Sequence, residues 1–314
     1  KDVTVIMELR ARFDETNNIN YSEILENAGA RVIYGLNSYK VHSKVLLITK
    51  KTSRDIKYIT HIGTGNYNEI TAKFYTDVNI ITSDKNIGND AIEFFNNITI
   101  SNINAKYKKT LASPFGISQA FCDLIDKEIE FQKQFNDGNI IMKFNSLTSK
   151  VLIDKLVEAS MAGVKIQLIV RGICCLIPGI KGKTENITVV SIVGRFLEHS
   201  RIYYFNHHRE RKIYIASDDL MTRNLERRVE LAVPVLSEKI KREITNYLLV
   251  LLSDDVKTRI LGSDGEYTRK KNTQNLNSQL YFFRKAYENA GKRKSSEEIE
   301  AVGFFGRLFD KFKK

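Results

Sequence analysis

Residues 39–51, YKVHSKVLLITKK, and residues 196–208, FLEHSRIYYFNHH, carry the same arrangement. In each, a His stands two residues before a cation, and a run of apolar residues follows. On an extended strand, residues two apart point to one face, so the cation and the imidazole are placed side by side. The surroundings repeat as well. ENAGARVIYG precedes His42 and ASMAGVKIQLIVRG precedes His199. Downstream, Asn66 lies in HIGTGNYNE and Asn224 in SDDLMTRNLE, at nearly equal distances from their His residues. Two units of His-x-cation, strand, turn, strand and Asn amount to a divergent internal duplication.

Working outward, β-rich apolar runs fall at Val3–Leu9, Arg31–Tyr34, Lys44–Ile48, Tyr58–Ile62 and Val78–Ile81. NYSEILENAGA reads as a helix ending near Gly29, residues 84–112 as a helix with a connector, and ISQAFCDLIDKEIEFQKQF as an amphipathic helix. VLIDKLVEASMAG then reads as a helix, and VKIQLIVRG, ITVVSIV, RIYYF and KIYIA as strands. This alternation predicts an α/β protein. Its 314 residues allow one large domain or two ordinary ones, and no apolar run is long enough to span a bilayer. The opening stretch, KDVTVIMELRARFDE, reads as a strand already in progress, so the chain is expected to be the C-terminal part of a longer protein. Of the net charge of +12, residues 268–314 contribute +7 through twelve Lys/Arg against five Asp/Glu, leaving a mildly basic body. Any anion binding by the body must therefore rest on individual residues. The three cysteines, Cys122, Cys174 and Cys175, show no CxxC spacing and fit a reducing compartment better than a disulfide framework.

A neutral imidazole beside a cation suits phosphoryl transfer: one His can attack phosphorus, a facing His can handle a proton, and the cations neutralise phosphate oxygens. Each motif has a plainer reading. A lone His-x-Lys is common by chance, and the second copy is what gives it weight. His61 is expected to be an ordinary sheet residue, and His207 and His208 in NHHRER a solvated turn. GTGNYN lacks the third Gly of a dinucleotide fingerprint; Gly63 and Gly65 instead allow close backbone approach. Cys174 and Cys175 are expected to be small buried residues.

The stretches ELRARFDE, VHSKVLLI, YITHIGTGNYNE, TAKFYTD, LIVRGICCLIPG, ENITVVSIVGRFLEHSRIYYF and DDLMTRNLERRVEL are similar to the C-terminal catalytic region of the bacterial polyphosphate kinase family, whose fold is phospholipase D-like. The resemblance runs from Leu9 to about residue 255. It implies two phospholipase D-like α/β domains, 1–110 and 111–265, with the active site between them and a basic tail over 266–314. It implies His42 as the residue that takes up phosphate and His199 as a second essential His near the nucleotide. Tyr75 and Arg171 are implied nucleotide contacts, and Arg12 belongs to the magnesium–phosphate neighbourhood, holding phosphate oxygens rather than the ion. Lys44, Asn66, Arg201 and Asn224 have the donors to line a polyanion path. The implied reaction is reversible transfer of the ATP terminal phosphate to polyphosphate, with Mg²⁺. The implied partners are ATP or ADP and polyphosphate, with a homo-oligomeric full-length protein and no nucleic acid.

The sequence departs from phospholipase D relatives where they place an Asp seven residues past the His; here that position is Thr49. Asp77, eleven residues past Asn66, is the expected substitute and is expected to orient His42. A phospholipase D-type phosphodiesterase, nuclease or lipid hydrolase, is the alternative enzyme. FFGRLFDKFKK places Phe305, Leu308, Phe309 and Phe312 on one helical face, with Arg307, Lys311 and Lys314 largely away from it. That pattern is compatible with docking on the anionic inner face of a membrane or on a partner subunit, with polyphosphate association, or with a frayed end in a cytoplasmic protein.

Overall fold

Strands with near-continuous apolar sequence need cover on both faces, and this requirement organises the second half of the chain. In a computed structural model that describes residues 1–9, 15–36 and 38–291, the second half forms a nine-stranded mixed sheet. Its order from edge to edge is Tyr267–Arg269, Thr258–Leu261, Ile187–Ile192, Lys165–Val170, Asn139–Phe144, Arg201–Phe205, Lys212–Ala216, Leu231–Pro234 and Leu111–Ala112. The three strands Ile187–Ile192, Lys165–Val170 and Asn139–Phe144 are parallel to one another, and their outer neighbours are antiparallel. On one face, Ile117, Phe121 and Ile125 of the helix Gly116–Phe135 and Leu152 and Leu156 of the helix Lys150–Met161 pack on Met142, Phe144 and Leu168. On the other, Ile244, Leu248 and Leu251 of the helix Glu238–Ser253 meet Ile141, Ile169, Ile202 and Ile215.

The first half is smaller. Thr4–Met7 pairs in parallel with Arg31–Tyr34, across the helix Glu15–Asn27. Lys44–Lys51, Ile56–Gly63 and Asn79–Thr82 form an antiparallel sheet. The helix Lys85–Thr99 begins at an Asp84 cap, whose carboxylate accepts from the N–H groups of Asn86 and Ile87. It lies so close to that sheet that a side chain at Gly88 would strike Tyr58.

The α/β class and most expected elements are present. The sequence reading assigned no element to Asn139–Phe144, Leu231–Pro234 or Glu238–Ser253. Residues 266–291, placed above in the basic tail, include the edge strand Tyr267–Arg269 and a helix over 278–291 whose first residues, Ser278 and Gln279, are buried. The amphipathic end at 305–314 lies outside the described residues. Cys122 is buried, but Cys175 is exposed, which corrects the expectation of a buried pair: it follows Cys174 in a connection beyond the sheet rather than in a strand.

Two short parallel pairings join the halves. Lys40–Val41 runs beside Arg228–Val229, and Tyr75–Thr76 runs beside Leu197–Glu198. Each brings the residue before a carboxylate in one half against the residues before a His in the other. That crossing builds the site.

Candidate active site

The two crossings match bond for bond. The N–H groups of His42 and Ser43 both donate to the carbonyl of Val229, and those of His199 and Ser200 both donate to the carbonyl of Thr76. The residues that follow these carbonyls are Glu230 and Asp77. Glu230 Oε2 lies 2.8 Å from His42 Nδ1, and Asp77 Oδ1 lies 2.8 Å from His199 Nδ1. An ionised carboxylate only accepts, so each Nδ1 carries the proton and each Nε2 presents a lone pair. Each His is thus held by an acid from the opposite half. The expectation that Asp77 orients His42 is corrected: Asp77 serves His199, because the Tyr75–Thr76 strand pairs across the cleft and not within its own half.

Behind each carboxylate stands a hydroxyl. Thr64 Oγ1 donates to Asp77 at 2.6 Å and Ser217 Oγ donates to Glu230 at 2.6 Å. Those hydroxyls also accept from Val78 N–H and Leu231 N–H, each at 3.1 Å. Gly65 has to be a glycine because a Cβ there would sit about 2.0 Å from the Asp77 carboxylate.

The cations differ between the halves. Lys44 is buried and its Nζ donates to the carbonyl of His42. Burial pushes its pKa down to about 7, aided by repulsion from Arg201 and opposed by Glu230. Arg201 is equally buried but is gripped by Asp219, with Nε and Nη2 at 3.3 and 3.2 Å from its two oxygens. Arg201 Nη1 donates to the carbonyls of Thr64 and His199 and lies 3.2 and 3.1 Å from the two ring nitrogens of His199. An atom nearly equidistant from both nitrogens sits over the ring face, so this is a cation–ring contact that leaves Nε2 directed away from it.

Burial lowers the pKa of both imidazoles. For His42 it outweighs the attraction of Glu230, and for His199 it brings the value down to about 4 despite Asp77. Burial pulls Glu230 and Asp77 upward, but their His partners, Lys44 and Ser217 for the one and Thr64 and Arg201 for the other, hold both below the usual carboxylate range. At neutral pH the site therefore holds two neutral imidazoles on two carboxylates.

Around this pair the other candidate residues are unevenly placed. Tyr75 rests its ring 4.6 Å from that of His199, tilted by 48°. Arg171 follows the strand Lys165–Val170 and is fixed through Nε alone, at 2.6 Å from Asn145 Oδ1 and 2.8 Å from the Glu198 carbonyl. Among the described residues its two terminal nitrogens have no protein partner. Asn224 is buried and donates to Glu230 Oε1 at 2.8 Å, whereas Asn66 is exposed. The two Asn residues are thus not equivalent: counted from Thr64 and Ser217, Asn66 corresponds to Asp219. Arg12 lies outside the described residues. Among those residues no group of three or more His, Cys, Asp or Glu is arranged to hold a metal ion.

Sequence reasoning missed Glu230, Thr64, Ser217 and a buried ion pair. A signal for the first three existed, since Thr64 precedes Asp77 and Ser217 precedes Glu230 by the same thirteen residues. The ion pair is Lys143 with Glu198, 3.2 Å apart and almost fully buried. Glu198 also accepts from Thr76 and Gln279, and Lys143 donates to Ser200, so the pair clamps the segment on either side of His199. No local pattern reveals it, because a Lys inside the apolar strand NIIMKF finds its partner only across the sheet.

The family model of polyphosphate kinase C-terminal domain 1 matches residues 1–104, and that of polyphosphate kinase C-terminal domain 2 matches residues 110–279. The polyphosphate kinase of Bacillus cereus is 50% identical over 291 residues, covering 92% of this chain and 42% of its own length. That of Staphylococcus epidermidis is 49% identical over 304 residues, covering 96% and 41%. The crystal structure of polyphosphate kinase from Porphyromonas gingivalis superposes with a TM-score of 0.84 at 34% identity, over 93% of this chain and 45% of that one. Phosphatidylserine synthase of Haemophilus influenzae, at 12% identity and a TM-score of 0.57, shares the fold alone. The chain spans under half the length of the curated relatives it matches. With both family models matched in order and half of the aligned residues identical to those of such a relative, the chain belongs to the polyphosphate kinase family.

Proposed function

We propose that this chain carries the catalytic half of a polyphosphate kinase, which reversibly transfers the terminal phosphate of ATP to inorganic polyphosphate through a phosphohistidine on His42. The observation that carries the reading is the reciprocal pair of imidazoles, each neutral, each held at Nδ1 by a carboxylate of the other half, and each backed by a cation. His42 Nε2 attacks the γ-phosphorus, the bond from that phosphorus to the bridging oxygen breaks, and ADP leaves with the electron pair. Positive charge grows on the ring as the N–P bond forms, and the Glu230 carboxylate meets it at Nδ1–H. In the second step a terminal oxygen of polyphosphate attacks the same phosphorus and the N–P bond breaks. His199, neutral because burial holds its pKa to about 4, offers Nε2 to a proton carried by that attacking phosphate. Lys44 and Arg201 supply charge from behind the imidazoles, and Arg171 offers two free guanidinium nitrogens to phosphate oxygens. In this reading the aromatic ring of Tyr75 lies against the adenine.

The fit of Mg²⁺ to the described residues is poor: no carboxylate cage exists among them, so the ion would be carried mainly by nucleotide phosphates, as is usual for it. None of the steps above depends on it. Among the described residues no helix is long and apolar enough to cross a membrane. The two domains of the proposal are 1–110 and 111–265, the second extended by the edge strand Tyr267–Arg269 and the helix over 278–291, and the crossed strand pairs join them.

The test is to incubate the full-length protein carrying this chain with γ-labelled ATP and to map acid-labile, base-stable label. His42→Ala is expected to abolish the label, while His199→Ala impairs turnover more than nucleotide binding. Full labelling of the His42→Ala protein would sink the assignment, and phosphate release from diesters would transfer the site to phosphodiester hydrolysis.

A further inference from the structure

Parallel strands expose their carboxyl ends on one edge of a sheet, and ligands gather there. On that edge Phe144 leads to Asn145, Val170 to Arg171 and Ile192 to Val193. The antiparallel strand Thr258–Leu261 starts at the same edge, since Thr258 pairs with Ile192. Here Lys257 and Arg259 share one face by strand alternation, and Arg269 stands directly opposite Arg259 in the neighbouring strand. Like charges opposed across an antiparallel pair, with Cβ atoms about 5 Å apart, repel one another. Among the described residues none of the three has a carboxylate partner. Asp254 and Asp255, next to Lys257, turn inward and accept from the backbone N–H groups of Thr258, Thr273, Gln274 and Leu276. Asp264 and Glu266 sit at the far tip of the hairpin. Lys257, Arg259, Arg269 and Val193 line a groove of ≈ 280 Å³, and a neighbouring one of ≈ 520 Å³ shares Val256 and adds Arg284 and Lys285, with Glu288 as its carboxylate.

We propose that this cationic groove is an outer subsite for the polyphosphate chain, continuing from Arg171 along the carboxyl edge of the sheet. The inference deepens the proposed function and rests on it for the identity of the polyanion. The strand ending at Arg171 lies two places from that of Arg259, so the groove is about 10 Å further along the edge. The strand between them, Ile187–Ile192, leads to exposed Arg195, four residues before His199, whose guanidinium packs over Phe196 and Phe283 at 5.5 and 5.4 Å. A chain with a charge on every unit can bridge these separate cations at once, and anion oxygens between Arg259 and Arg269 turn their repulsion into a chelate.

The test is Arg259→Gln with Arg269→Gln in the full-length protein. The KM for long-chain polyphosphate is expected to rise about ten-fold, with a shallower salt dependence, while a chain too short to span both places keeps its KM. Direct titration with long-chain polyphosphate should weaken to the same degree. Thermal stability should hold or rise, because removing opposed charges relieves repulsion; a structural role for the two arginines would lower it. Unchanged long-chain KM and affinity would overturn the proposal. So would loss of binding to a single-stranded oligonucleotide with polyphosphate affinity intact. If the wild type makes no polyphosphate, the proposed function fails, and the titration alone decides whether the groove holds the polymer.

Discussion

The two halves of the site share a backbone plan and differ in how they treat charge. In the plan, two successive N–H groups meet one carbonyl, the next residue supplies a carboxylate, and a hydroxyl thirteen residues earlier steadies it. Around His42 both the acid and the cation are buried: Glu230 is 0% exposed, and Lys44 is so poorly solvated that its pKa falls to about 7. Around His199 the acid is more open, at 19% of the Asp77 side chain, and the cation is an arginine fixed by Asp219 on two sides. An arginine stays charged at any working pH, whereas a buried lysine can lose its proton. One backbone geometry thus serves both halves, which differ in the exposure of the acid and in the kind of cation. The His42 side sets a neutral imidazole beside a cation that can lose its proton; the His199 side sets one beside a permanent charge, with its ring tilted by 48° against that of Tyr75.

The sharpest way to break this comparison is to neutralise each acid in turn. Glu230→Gln removes the carboxylate that fixes the His42 tautomer and meets its developing charge, so phosphoryl labelling should slow by about 10²–10⁴-fold, the scale of such changes in His–carboxylate pairs. Asp77→Asn should leave labelling by ATP nearly intact and slow transfer to polyphosphate. Rapid-quench measurement of the two steps separates them. If both variants slow the same step equally, the halves do not divide the labour.

Acid titration comes next in size. The His199 pKa falls from its ordinary 6.5 to about 4 on folding. Below 6.5 the unfolded chain therefore binds a proton that the folded one refuses, and stability is lost as pH falls from 6.5 towards 4. The loss attributable to this His is on the order of 3 kcal/mol. Lys44 acts in the alkaline window with the same sign: between about 7 and its ordinary 10.5 the unfolded chain binds the extra proton, so stability rises with pH there. Denaturant melts of His199→Gln and Lys44→Met across pH 4–10 should flatten each window separately. A profile unchanged by both substitutions would mean that neither group is desolvated.

The smallest effects sharpen the contrast between the two Asn residues. Asn224→Ala leaves the buried Glu230 Oε1 without its donor and should cost about 1–3 kcal/mol of stability. Asn66→Ala, at an exposed turn, should change stability by less than about 0.5 kcal/mol. Equal costs would restore the symmetry that their spacing from the two His residues implies.

That spacing illustrates what could and could not be read locally. The duplication was legible because His-x-cation before an apolar run is a contiguous pattern. The helix Gly116–Phe135 and the strands Arg201–Phe205 and Lys212–Ala216 were legible from hydrophobic periodicity alone. The Asn match misled, since the hairpin after His42 has strands of eight residues and the one after His199 strands of five, so nearly equal spacing leaves Asn66 just past its strand and puts Asn224 in the helix Thr222–Arg227. Asp77 was picked out as a candidate acid but assigned to the wrong His. Lys143 and Glu198 left no trace at all.

By itself, then, the sequence determined the α/β class, the twofold repeat, the two imidazoles with their cations and the family resemblance. All of these are encoded within short windows, where the strand period and residue type suffice. Only the tertiary structure decided which acid serves which His. That choice is made by parallel pairings of two residues each, Lys40–Val41 with Arg228–Val229 and Tyr75–Thr76 with Leu197–Glu198, between segments more than a hundred residues apart. The structure also decided the protonation of the site, because the desolvation that keeps both imidazoles neutral and loosens the proton of Lys44 belongs to the closed cleft and to no residue within it.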